Sequence, residues 1–213
     1  MAGPISHVVL AARVFDTYFS DKDKKEFFIA TLLPDIRYLA GFKRDFTHKR
    51  SVDFKHIQAM DSFDAGLYFH SYVDILRIRI LQSAYVSQGV MTPRTYSGSF
   101  KIAEDLILHS KILDWTPFIH YLDTVVAGER AFGIRENILT QWHSATQDIF
   151  RTKHTAKTLK RIGFSAQKIV RVQEQVAHIN ALPEVKKSVL AFYEHFAEHV
   201  AKHPKLVFHK RSV

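Results

Sequence analysis

The chain is 213 residues long, carries a formal net charge of +9 and contains no cysteine. That length suits one domain with a sizeable core. The missing cysteine excludes a disulfide framework and a thiolate zinc site, so any metal must be held by His, Asp or Glu.

Helical signals dominate, because only 8 glycines and 6 prolines punctuate the chain and long alternating β-branched runs are missing. Residues 4–19, apolar with small residues between, are predicted to form a helix. Asp21-Lys22-Asp23-Lys24-Lys25 reads as a polar turn into a helix over Glu26–Leu33, broken between Pro34 and Gly41. Phe42–Val52 reads as an irregular, charged loop, and Asp53–Met60 as a short helix. Ser62 or Asp64 caps the next helix, which runs through Leu81 with apolar positions at Leu67, Tyr68, Tyr72, Ile75, Leu76 and Ile80. Gly89–Gly98 reads as a linker. Helices follow at roughly 99–113, 115–126, 134–150 and 164–178, and Pro183 opens a last one through about Lys202. The expected architecture is an all-α bundle of about seven to nine helices, one domain over 1–213. Its site is expected in 1–115, with 116–213 a helical part of unassigned role.

Polar residues threaded through apolar segments mark that site. His70 and Asp74, four apart, share one helical face and can reach one ion or form an ion pair. Gly66, one turn earlier, permits a close approach of another backbone or of a ligand. Asp35, in Leu33-Pro34-Asp35-Ile36, lies next to core residues, where a carboxylate needs a partner or serves as a helix cap. His7 precedes Val8-Val9-Leu10 and is expected to face the core, whereas His48 stands in the charged loop.

The segments Ile5-Ser6-His7, Phe28 to Leu39 around Pro34-Asp35-Ile36, Thr47-His48 and Gly66-Leu67-Tyr68-Phe69-His70-Ser71-Tyr72-Val73-Asp74 together resemble the zinc-dependent phospholipase C family. Its superfamily also contains secreted trinuclear-zinc nucleases. The resemblance covers residues 1–115 and implies that family's helical fold and one or two ions of Zn2+ or another divalent metal. It implies His48, His70 and Asp74 as ligands of the principal ion, with Asp74 bridging to a second that also takes His7. Asp35 would be a ligand or the general base toward a metal-activated water attacking phosphorus. Arg37 and Arg44 would add forked contacts to the phosphate, or else be surface charge.

The chain departs from the family pattern downstream. No histidine lies between Asp74 and His109, and Lys101 stands where the first His of a His-x-x-x-Glu pair would fall. Asp105 and His109 offer a rearranged additional metal pair, or a one-turn salt bridge. Met1 and Ala2 are not expected to serve as the processed N-terminal ligand of secreted members, since no basic leader and hydrophobic stretch precede them. A cytoplasmic location is the corresponding expectation. The helix motif His195-Phe196-Ala197-Glu198-His199 also fits inverted zinc peptidases, but no acidic residue follows Glu198 as a further ligand.

The leading expectation is thus a metal-dependent hydrolase acting on a phosphodiester or phospholipid headgroup. The alternative is a catalytically reduced helical binding or scaffold protein of the same fold. Basic residues between Arg151 and Arg171, and the tail around His209-Lys210-Arg211, suit peripheral contact with an anionic membrane. Nucleic acid is a weaker expectation, because no readout module accompanies those charges.

Overall fold

The computed structural model describes residues 3–90 and 98–208, which form an all-α, multi-helix fold with one small ribbon. In chain order the helices are α1 (Pro4–Tyr18), α2 (Lys24–Leu32), α3 (Arg37–Ala40), α4 (Arg44–Thr47), α5 (Phe54–Ala59), α6 (Ser62–Arg77), α7 (Ser83–Ser87) and α8 (Gly98–Leu108). They continue as α9 (Thr116–Tyr121), α10 (Ala127–Ala131), α11 (Glu136–Thr152), α12 (Ala156–Arg161), α13 (Ala166–Asn180), α14 (Pro183–Glu194) and α15 (Phe196–Lys202). Strand β1 (Ser51–Asp53) pairs antiparallel with β2 (Lys205–Val207). Among the described residues no helix is long and apolar enough to cross a membrane.

The helices are shorter and more numerous than expected. The segment 42–52 is not irregular throughout, since it holds α4 and most of β1. The helix expected over 115–126 is only the short α9, with a further short helix, α10, beyond that range, and the last helix divides at His195 into α14 and α15. Asp61, rather than Ser62 or Asp64, caps α6 by accepting from the Asp64 amide at 2.8 Å. Most of the Gly89–Gly98 linker and the basic 209–211 tail lie outside the described residues.

Local signals account for many of the boundaries. Asp23 caps α2 through the Glu26 amide, and Ser165 caps α13 through that of Lys168. Pro34 turns the chain from α2 into a 3-10 turn at Leu33–Ile36, and Gly41, at φ 72°, ends α3. Phe15, Phe19, Phe27, Phe54, Phe69 and Tyr72 build an aromatic core between α1, α2, α5 and α6.

Helix α2 crosses α6 at Gly66, the close approach that the glycine suggested. A Cβ there would stand 2.2 Å from the Phe27 carbonyl oxygen and 2.8 Å from the Ala30 Cβ. The contact brings Thr31 of α2 over the buried face of α6, where its carbonyl meets His70.

The buried face of α8 is charged. Lys101, Glu104 and Asp105 occupy i, i+3 and i+4 and are all buried. Glu104 receives both Arg77 of α6, through its Nε and one terminal nitrogen, and the Tyr85 hydroxyl at 3.0 Å. In the C-terminal part, His143 uses both ring nitrogens, on Glu129 at 2.7 Å and on the Leu122 carbonyl at 3.0 Å. It ties α11 to α10.

Two substitutions test this frame. Gly66→Ala should destabilise the protein by about 1–3 kcal/mol in urea unfolding, because the α2–α6 crossing must open. Glu104→Ala should cost about 3–5 kcal/mol by leaving the Arg77 charge buried without its carboxylate. A loss under 1 kcal/mol for either variant would contradict the packing described.

Candidate metal centre

Four segments bring the expected ligands together. His7 sits on the second turn of α1, Asp35 in the 3-10 turn after α2, and His48 just beyond α4. His70 and Asp74 lie one turn apart on α6, and all five side chains are buried. His48 Nε2 is 3.1 Å from His70 Nε2 and 3.5 Å from Asp74 Oδ2, which is 3.9 Å from His70 Nε2. His7 Nε2 stands 3.6 Å from Asp74 Oδ1, with its ring stacked on that of His70 at 3.8 Å between centroids.

These separations suit a shared ion. Tetrahedral zinc with ligands at ~2.0–2.1 Å places its ligand atoms about 3.3 Å apart. Two triads of ligand atoms lie close enough to hold a metal, His7 with His70 and Asp74, and Asp35 with His48 and His70. Several of the atoms are otherwise unsatisfied. Both nitrogens of His7 and Oδ1 of Asp35 are buried without a hydrogen-bond partner among the described residues. Buried polar atoms seldom remain so.

The surroundings orient the ligands. The His70 Nδ1 lies 2.8 Å from the Thr31 carbonyl, which can only accept, so Nδ1 carries the proton and Nε2 keeps its lone pair. His48 is held through Nδ1 by the Thr47 hydroxyl at 2.8 Å. Both triads draw on that one nitrogen of His70. One ion can therefore take His70, and a second would draw on the remaining groups, with the two oxygens of Asp74 facing His7 and His48 respectively.

Electrostatics keeps the imidazoles ready to bind. Burial pushes His70 well below the usual histidine range and lowers His48 as well, so both are neutral near pH 7. For Asp74, burial opposes the charge, yet neighbouring groups, His48 and His70 among them, hold the carboxyl well below its ordinary value. Burial likewise works against Asp35, but the Lys101 ammonium, 2.8 Å from Oδ2, outweighs it and holds the carboxyl far down. The Lys101 contact keeps the Asp35 carboxylate ionised, the form in which it would act either as a ligand or toward a bound water.

The other expected residues are placed differently. Arg44 donates to Asp74 at 2.7 Å, so it braces a ligand instead of reaching outward for a phosphate. Arg37 donates to the Tyr38 hydroxyl at 2.7 Å and stacks over that ring. Asp105 and His109 have separate partners. Asp105 accepts from the Ile5 and Ser6 amides and the Ser6 hydroxyl at the start of α1, and from His154. His109 instead meets the Phe150 carbonyl at 2.9 Å. In the peptidase-like motif, His195 is an exposed partner of Glu198 and His199 stacks on Phe192.

Two features escaped sequence reasoning. Lys101 supplies a buried cation to Asp35, for which the only signal was its stance at a ligand position. His154 had no signal. It follows Lys153, whose φ of 62° is a backbone conformation that L residues rarely adopt. Comparison of the chain with family models, characterised proteins and solved structures gives no match.

The neutral histidines set a pH dependence. Their folded pKa lies below the unfolded value of about 6.5, so the unfolded chain takes up protons first as pH falls. Stability is then complete above that value and declines below it, by up to ~1.4 kcal/mol per pH unit for each group. The depressed Asp35 and Asp74 add a further loss only below about pH 4. Urea midpoints of metal-free protein should hold steady from pH 8 to 7 and drop between 6.5 and 5. A midpoint unchanged over that lower interval would refute the assignment of neutral buried imidazoles.

Proposed function

We propose that this chain is a metal-dependent hydrolase of phosphoric esters with one principal divalent ion. The observation that carries this reading is the convergence of His7, Asp35, His48, His70 and Asp74, from three separate segments and one helix face, into a buried cluster of groups that could hold a metal ion. A divalent ion there would supply Lewis acidity toward a phosphoryl oxygen and acidify a bound water. The protein's own residues do the remaining work. Thr31 and Thr47 fix the imidazole orientations, and Arg44 holds Asp74. Lys101, fixed by Asp35, lines the adjoining pocket and offers a cation to an anionic ester. The resemblance to zinc-dependent phospholipases C supports the same reaction class, with a phosphodiester or phospholipid headgroup as substrate. The basic residues of α12 and α13 would suit approach to an anionic membrane surface.

A second reading, a binding protein that keeps the frame without the chemistry, also has an observation behind it. Asp74 and Asp35 are already answered by the protein's own cations, Arg44 and Lys101.

Elemental analysis of protein purified without chelator separates the two. The hydrolase reading expects about one divalent ion per chain, lost in His70→Ala and Asp74→Asn. It also expects turnover of bis-p-nitrophenyl phosphate, falling at least 100-fold in those variants. Metal-free wild-type protein that takes up no added zinc and shows no turnover would leave the binding-protein reading.

A further inference from the structure

Beside the candidate metal centre lies a cavity of about 500 Å3, an ordinary size for a small-molecule site. Its walls are largely apolar, with Ile102 of α8, Ile149 of α11 and Val172 of α13 among them. Asp35 is the one acidic residue in the lining among the described residues, and Lys101, also in the lining, answers it at 2.8 Å.

One stripe of α13 supplies the remaining charge. Lys168, Arg171, Val172 and Gln175 stand at i, i+3, i+4 and i+7, the spacing of a single helical face, and all four line the cavity. The Lys168 ammonium lies 3.9 Å from the centre of the Phe164 ring, itself part of the lining. Lys168 and Arg171 are exposed, and neither forms an ion pair among the described residues. Because Lys101 and Asp35 cancel, these two leave the lining with a surplus of positive charge. Ser99 of α8 donates to Gln175 Oε1 at 2.6 Å, so the N–H groups of that amide are left to donate elsewhere. Cations fully surrounded by water attract an anion only weakly. At the edge of a low-dielectric cavity the same charges focus their field on whatever lies inside.

We propose that this cavity binds an organic anion with an apolar body, its charged group at Lys168 and Arg171 and its hydrocarbon against Ile102, Ile149 and Val172. Arg171 offers a planar fork to a carboxylate or phosphate, Lys168 a single ammonium and Gln175 a neutral donor. A neutral ligand would fill the same walls but leave the cations unanswered, and a cationic one would be repelled. The site goes beyond the hydrolase reading and needs no metal, because none of the groups that take the anion belongs to the candidate metal centre.

Fluorescence titration of the full chain tests the assignment with 1-anilinonaphthalene-8-sulfonate and N-phenyl-1-naphthylamine, which share one aromatic body and differ by the sulfonate. The anion should bind roughly tenfold tighter, with or without EDTA. Replacing both cations, Lys168→Gln with Arg171→Gln, should bring the two probes within about threefold of each other. Both positions are exposed, so this double variant should melt as the wild type does. Ile162→Trp, at a half-buried position in the wall, should weaken both probes about fivefold by filling the cavity. Decanoate and decyl phosphate should displace the bound sulfonate, the stronger of them marking a carboxylate or a phosphate monoester as the preferred head, and decyltrimethylammonium should not. Equal affinities of the two probes, an anion preference that survives the double variant, or displacement by the cation alone would overturn the proposal. An anion preference lost with EDTA would overturn it as well, by placing the anion on a bound metal, and would leave the hydrolase reading standing.

Discussion

Three charged side chains buried on one face of α8 organise this molecule. A charge removed from water without a partner is too costly to keep, so each must meet its counterpart. Lys101 reaches Asp35 after α2, Glu104 reaches Arg77 at the end of α6, and Asp105 reaches the start of α1 and His154 after α11. Apolar contacts tolerate sliding, whereas a bidentate pair or a capped helix start does not. The helices around α8 are thereby held in register as well as in contact.

The candidate metal centre inherits its geometry from those pairings. Asp105 takes the first amides of α1 and so places His7 one residue beyond Ser6. Lys101 holds Asp35 in the 3-10 turn, and Arg77 lies one turn past Asp74 on α6. The α2–α6 crossing at Gly66 completes the arrangement by bringing the Thr31 carbonyl to His70. The ligand cluster is preorganised by interactions that contain no metal. Its two carboxylates are balanced by Arg44 and Lys101 while its histidines stay neutral, so the centre can persist as a folded unit on its own.

The same face of α8 connects the centre to the apolar cavity. Lys101 and Asp105 stand one turn apart, the first against Asp35 and the second against His154 beside the cavity. Reactive groups held this way need little reorganisation on binding, which is the general advantage of a site supported from behind. Lys153 adds to the picture, since its unusual backbone conformation directs the chain so that His154 returns to Asp105.

What could be read in the amino-acid order was local. The helical class, the polar turn before α2, the break at Pro34 and the shared face of His70 and Asp74 follow from signals within a few residues. Other features depend on partners far away in the chain. Lys101 meets a carboxylate 66 residues away and Asp105 a histidine 49 away, so a buried helix face looked like an ordinary charged surface. The pairing of residues 51–53 with 205–207 was invisible for the same reason. A resemblance could gather His7, Asp35 and His48 around the α6 pair, but no spacing rule brings them there. The sequence by itself determined the helical class and the shared face of His70 and Asp74, because turns and caps are satisfied by near neighbours. Only the tertiary structure decided which cations answer Asp74 and Asp35 and that Asp105 meets His154, because buried charges choose their partners through packing.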